Sequence, residues 1–332
     1  MQTPQIVPNP GDFLISRHHL RWEEYLPWVL AMAAFFVFPD FLQLGSQILI
    51  MILFAVSLDM ILGYAGIISL GHAAFFGTGA YVAGMLSAHM GWNEPISGLV
   101  VAALAAGLVG LITGWFILRT RDLTLLMLTM ALTILLQEFA NEQEDLTGGD
   151  DGLQGVEIDP ILGMFEFDLY GQAAYLYSLA VLFVMFWVVR AVIYSPFGQS
   201  LRGIRENTLR SQAVGVPVPK ELLKVYTLSA AVAGVAGALL AQTTEFVALE
   251  TLSFERSGDV LIMLILGGTG RLYGAFLGAA TYMILQDWLA KESPEFWQFG
   301  IGLLLVLTVL FARNGLLGLI DKLMTRLGKS RP

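Results

Sequence analysis

The sequence predicts an all-α polytopic membrane protein with about ten membrane segments and both ends on the cytoplasmic side. Three observations predict this. Of 332 residues 56% are apolar and only 14% are charged, with mean hydropathy +0.69, against roughly 25% charge in a soluble domain. Charge-free runs recur along the chain at 25–39, 41–58, 60–93, 95–118, 123–137, 169–189, 225–244, 260–270, 272–286 and 296–312, and a helix needs roughly 20 apolar residues to cross the hydrocarbon. Threading these runs alternately, with the N-terminus inside, leaves all but two of the 18 Lys and Arg on the cytoplasmic side; Arg256 and Lys291 are the exceptions. Cationic loops stay inside, so the opposite threading is rejected. The absence of cysteine excludes disulfides, thiolate metal sites and a cysteine nucleophile. No basic stripe reads as a nucleic-acid footprint.

Residues 1–24 are polar and contain Pro4, Pro8 and Pro10 with Arg17 and Arg21, so they read as a cytoplasmic arm. No short basic start leads into an apolar core, so the first span serves as an uncleaved insertion signal. Residues 25–312 then form one transmembrane domain. Trp22, Tyr25 and Trp28 extend the first run into the interface, as Trp288 and Trp297 do later.

The stretch 59–84, DMILGYAGIISLGHAAFFGTGAYVAG, has glycine at 63, 66, 71, 77, 79 and 84. Glycine permits close helix packing and also a helix break, which lipid tolerates only where the freed backbone faces protein or a water-filled path. Both readings are open at Gly63–Gly71. Asp59, an ionisable group at the edge of the run, favours a path or partner, and a place at the cytoplasmic interface is equally open to it. His72 follows the break, either as a packed, hydrogen-bonded ring or as a substrate contact.

After the runs 95–118 and 123–137 comes an acidic external loop, 140–170, with Glu142, Glu144, Asp145, Asp150, Asp151, Glu157, Asp159, Glu166 and Asp168. It is either simply solvated or a docking surface. The cytoplasmic loop 194–224 spaces Leu201, Ile204, Leu209, Ala213 and Val214 as on one helix, introduced by Pro196 and stopped by Gly215 and Pro217. That helix either rests on the membrane or is presented to a cytoplasmic protein.

The stretch 258–278, GDVLIMLILGGTGRLYGAFLG, repeats the earlier pattern: an acidic residue, a short apolar run, a break at Gly267, Gly268 and Gly270, then a glycine-spaced helix. Paired interrupted segments point to a transport path, and the short run 260–270 is the one that a re-entrant half-helix would explain. The tail 313–332 is basic. Its Gly328-Lys329-Ser330 lacks the glycine and strand that a phosphate loop requires, so any ATP is hydrolysed on another chain. Other catalytic and metal-binding spacings are missing. An ion-coupled secondary transporter would also have broken spans, but its candidate carboxylates Asp59, Glu138 and Asp287 all stand near run ends.

Five segments in order, LGYAGIISLGHAAFFGTGAY, TGGDDGLQGV, SPFGQSLRGIRENTLRSQAVGVPV, LSAAVAGVAGALLA and LIMLILGGTGRLYGAFLGA, resemble the permease subunits of branched-chain amino-acid ABC importers, of the M type. The resemblance covers about 45–315 and implies the ABC importer permease fold in a bacterial inner membrane. It is less specific for substrate, since urea, short-amide and aromatic-acid importers use similar subunits. It implies an H-type permease partner, two cytoplasmic ATPases and a periplasmic binding protein, and no cofactor. It makes Phe197, Gly198, Arg202, Arg205, Glu206, Asn207, Ala213 and Gly215 the ATPase-coupling segment, and Thr147–Gly155, with Asp150, Asp151 and Gly152, the side facing the binding protein. Arg271 departs from the small or polar residue expected there.

Overall fold

The computed structural model describes residues 22–120, 122–161, 171–311 and 315–319. Most of the arm, Glu166 and Asp168 of the acidic loop, and Gly328–Ser330 lie outside the described residues. Every regular element among the described residues is helical, and apart from single turns these are α1 (Leu26–Val37), α2 (Leu42–Asp59), α3 (Ala73–Met90), α4 (Pro95–Ile117), α5 (Asp122–Glu142), α6 (Gln172–Tyr194), α7 (Pro196–Glu206), α8 (Thr208–Ala213), α9 (Val218–Thr244), α10 (Phe254–Gly267), α11 (Gly274–Glu292) and α12 (Trp297–Phe311). Among the described residues five helical segments are long and apolar enough to cross a membrane: Pro39–Tyr64, α4, α5, α6 and α9. The first is α2 continued through a wide π turn over Met60–Tyr64. Helices α1, α10 and α12 have 12, 14 and 15 residues, short of a full crossing at 1.5 Å per residue.

The core lies where α9 packs between α3 and α4. Small residues make this possible. A side chain at Gly237 would strike the Phe76 carbonyl, one at Gly79 would strike Gly234, and one at Gly110 would strike Ala230. Association in lipid depends on such close approach, since apolar burial alone drives helices together only in water. Gly98 faces Gln242 and Gly114 faces Tyr226, so α4 and α9 are antiparallel. Phe75 lies edge-on to Tyr226 at 5.3 Å while Gly84 faces Val247, so α3 and α9 run the same way. The outer faces keep large apolar residues exposed, among them Leu104, Leu108, Met127, Leu135 and Phe139, as lipid or another apolar chain requires.

Helices α10 and α11 form a tight antiparallel hairpin. Side chains at Gly267 and Gly278 would overlap the carbonyls of Gly274 and Met263, and Tyr282 donates to Asp259 Oδ1 at 2.5 Å. The chain enters α10 from inside the bundle: the Thr251 carbonyl and Leu252 press on Gly77, and the Ala73 N–H donates to Ser257 Oγ at 2.9 Å. Helix α10 therefore starts partway along α3, which accounts for the shortness of the run 260–270.

At one end of the bundle the acidic loop is folded down. Leu153 pairs with Val247 in an isolated antiparallel bridge, and Ser87 Oγ accepts from the Glu157 N–H and donates to its carbonyl. At the other end α1 is anchored. Glu24 pairs with Arg190 at 2.5 Å, and Trp28 meets Phe183, Phe186 and Phe276 edge-on at 5.0, 5.3 and 5.3 Å.

Candidate functional site: two helix breaks meeting a surface helix

The run 60–93 is not one helix. After the π turn the chain leaves helical geometry over 65–72 and re-enters it at α3. Gly66, with φ of +76°, turns the chain out of the helix. The Ile67 N–H reaches back to the Ile61 carbonyl at 2.8 Å, and the Leu70 N–H is held by Thr129 Oγ1 at 3.2 Å. Gly71 abuts the Thr129 carbonyl, with Thr133 Oγ1 beside it. Residues 129 and 133 lie in the interior of α5, so the break ends at the depth of a spanning helix. Along it Gly66 and Ile68 are exposed while Ala65, Ile67 and Ser69 are buried. Ile68 stands outside the glycine pattern, and it is the alternation of exposed and buried residues over 65–69 that brings it to the surface.

His72 sits behind this surface, wholly buried. Its ring stacks on Phe54 at 5.5 Å and lies edge-on to Phe75 at 5.7 Å. Nε2 is 2.8 Å from Ser57 Oγ, and Ser57 already donates to the Phe54 carbonyl at 2.6 Å, which leaves Nε2 as the donor. Among the described residues its Nδ1 has no hydrogen-bond partner.

The two glycine breaks touch. The Gly270 N–H donates to Asp59 Oδ1 at 2.7 Å. Both Asp59 and the Gly270 nitrogen occupy the space a side chain at Gly63 would need. Thus Asp59, Gly63 and Gly270 come together, with Gly66 just beyond. Gly267 and Gly268 belong to the α10–α11 turn, and Gly71 and His72 lie apart, toward the bundle middle.

Helix α7 covers this junction. Ser195 caps it, its Oγ accepting from the Gly198 N–H at 3.5 Å, and Leu201 and Ile204 are buried beneath it, each worth roughly 2 kcal/mol relative to exposure. That leaves Arg202 and Arg205, one turn apart, facing the break. The Arg202 guanidinium stands 5.2 Å from the centre of the Tyr64 ring, and Arg205 Nη1 donates to the Gly63 carbonyl. Tyr64, Arg202, Arg205, Glu206, Gly63 and Gly270 line a cleft of about 410 Å³.

The single helix expected over 194–224 is two. Asn207 is extended, with φ of −159°, and its Oδ1 accepts from the Arg210 N–H at 2.9 Å to start α8. The expected apolar stripe therefore divides. Leu201 and Ile204 pack inward, while Leu209 and Val214 stand 76% and 79% exposed. Ala213 ends α8, Gly215 turns away with φ of +97°, Gly198 fits against the Ile193 carbonyl, and Phe197 lies 6.0 Å from the Lys224 ammonium. At the opposite end Asp150 and Asp151 are exposed and Gly152, with φ of +73°, is packed under Phe246.

The family described as "Branched-chain amino acid transport system / permease component" matches residues 41–309, which takes in both breaks, the acidic loop and α7. The high-affinity branched-chain amino acid transport system permease protein LivM of Escherichia coli K12 is 27% identical, covering 87% of this chain and 73% of its own. The probable LivM permease of Methanocaldococcus jannaschii is 26% identical over 70% and 76%, and the LivH permease of Salmonella typhimurium is 24% identical over 80% and 90%. No solved structure matches. The chain belongs to the branched-chain amino acid transport system permease family of ABC transporters, and is a multi-pass membrane transport subunit and not an enzyme.

Proposed function

We propose that this subunit forms half of the translocation path of an ATP-driven importer for branched-chain amino acids in a bacterial inner membrane. The observation that carries this is the non-helical segment 65–72. Backbone outside a helix at the depth of a spanning segment cannot face lipid, and here it shows Gly66 and Ile68 on an open surface. A second permease of the H type covers that surface and supplies the other half. Relatives of both types align with most of the chain, which supports such a pairing. Gly66 and Ile68 then line the path, and Asp59, Gly63, Gly71, His72, Gly267, Gly268 and Gly270 form the packed frame of the two breaks behind them.

Residues 25–312 make up the permease domain, crossing ten times with the arm 1–24 and the tail 313–332 in the cytoplasm. Helices α7 and α8 form the coupling segment that docks on one of two ATPases, with Phe197, Gly198, Arg202, Arg205, Glu206, Asn207, Ala213 and Gly215 as its residues; Arg202 and Arg205 within it turn inward to the break and leave the contact itself to the outer face. Exposed Leu209 and Val214 are the apolar surface such a contact needs. The loop 140–170 meets a periplasmic binding protein through Asp150, Asp151 and Gly152. Transport follows from alternating access: the ATPases move α7, and two bundle states close in energy exchange.

Uptake of radiolabelled leucine into proteoliposomes tests this. Vesicles holding this chain, its H-type partner and the ATPases, with the binding protein outside, accumulate leucine only when ATP is enclosed in the lumen with the ATPases facing it. Uptake by this chain alone under an ion gradient would overturn the assignment.

A further inference from the structure

The C-terminal ends of two membrane helices converge under α7. The α2 helix ends in the π turn at Tyr64, and α10 ends at Gly267 just before Gly270. A helix end leaves carbonyl oxygens without intrahelical partners and carries partial negative charge. At the first end, Arg205 donates to the Gly63 carbonyl and Arg202 lies over Tyr64. The second end is joined to the first by the Gly270 N–H to Asp59 bond of 2.7 Å. The fit is close on every side. A side chain at Gly270 would sit 3.0 Å from both Arg205 Nη1 and the Gly63 carbonyl, and one at Gly66 would sit 3.0 Å from the Arg205 stem. Arg205 thus bonds to the backbone of the first break at Gly63 and lies so near Gly66 and Gly270 that a side chain at either would press on it.

We propose that Arg205 is the positioning residue that ties both glycine breaks to α7, so that a displacement of α7 shifts the 63–72 and 268–273 segments as one unit. This deepens the reading of α7 as the ATPase-facing element and rests on it. The load passes from the α7 backbone through the guanidinium to the Gly63 carbonyl, and from there through Asp59 to Gly270. Glycine at 63 and 270 is what lets the three backbones come that close. A lysine at 205 keeps the positive charge at the helix ends but loses the fork that holds a carbonyl in fixed geometry.

The test uses the absence of native cysteine. Ile68→Cys, at an exposed position of the first break, is placed in the whole reconstituted complex and labelled with N-ethylmaleimide. Labelling is compared between the nucleotide-free state and the state trapped with ATP and vanadate. With Arg205 present, the rates in the two states differ by about tenfold, the scale of a typical coupling energy. In Arg205→Ala the difference collapses while the ATPases still co-purify, and Arg205→Lys restores part of it. If Arg205→Ala keeps the full difference, the proposal is overturned. If Arg205→Ala loses the ATPases, Arg205 is a docking residue and the proposal is again overturned. If Ile68→Cys reacts equally in both states with Arg205 intact, the reading of the break as a moving path wall fails, and the proposal fails with it.

Discussion

At the residue scale, two ion pairs of similar length differ in what surrounds them. Glu24 and Arg190 are 2.5 Å apart, with side chains 18% and 5% exposed. Asp287 and Lys291 are 2.6 Å apart, with side chains 33% and 63% exposed. Removing one member of a buried pair strands the other charge and costs about 3 kcal/mol, whereas an exposed pair contributes less than about 1 kcal/mol. Glu24→Ala is therefore expected to lower the thermal midpoint in detergent well below that of Asp287→Ala, and equal midpoints would refute the distinction. The same contrast holds for glycines. Gly237→Ala drives a methyl into the Phe76 carbonyl, whereas Gly258→Ala meets nothing within 4 Å. The first should cost about 1–3 kcal/mol of stability and the second within about 0.5 kcal/mol, read from the same melts. Of these pairings only Asp287 and Lys291, four apart on one helix, stand at a spacing that the sequence shows. Glu24 stood in a polar arm with no assigned role, and only the fold brings it to Arg190.

At the element scale, legibility followed chemistry that is local in the chain. Charge-free runs gave the position of nearly every helix, because the cost of charge in lipid is paid residue by residue. The glycines at 63, 66 and 71 marked a true interruption, since a helix in lipid is left only where backbone groups find new partners, here Thr129 and Ile61. Two features stayed hidden. The split of α7 from α8 at Asn207 depends on one side chain capping Arg210, while the apolar spacing alone fitted a single helix. The inward start of α10 depends on Ser257 and Leu252 packing against α3, which no local pattern records. Helix α4 shows a cap that was also unread: Glu94 Oε2 accepts from the Ser97 N–H at 2.7 Å. Bonds from Ser97 hold the Glu94 carboxyl below the usual carboxylate range. A lowered folded-state value means that the cap's contribution is complete above the ordinary carboxylate range and is lost as the pH falls through the lowered value. Glu94→Ala should cost about 1 kcal/mol at neutral pH. Its midpoint should converge on that of the unaltered chain in acid; a gap that persists there would rule out the charged cap.

At the scale of the whole molecule, the two proposed contact surfaces lie at opposite ends of the same helices. The loop carrying Asp150 and Asp151 is pinned at the C-terminal ends of α3 and α9 by Ser87 and Val247. Helices α7 and α8 sit at the other end, where Arg205 meets the close of α2. Between the two ends runs α5, whose 21 residues span roughly 30 Å, about the hydrocarbon thickness. If α5 crosses the membrane, these surfaces must face different compartments, whichever way the chain is inserted. The lysines and arginines then decide which is which, because the loop end carries few of them and the α7 end carries Arg202, Arg205, Arg210, Lys220 and Lys224. Single cysteines at Asp150 and at Leu209, both exposed positions, make this measurable. In intact cells a membrane-impermeant maleimide should label Asp150→Cys and spare Leu209→Cys, and inverted vesicles should reverse the pattern. Labelling of both positions from one side would overturn the crossing of α5, and with it the assignment of α7 to the ATPases and of the acidic loop to the binding protein.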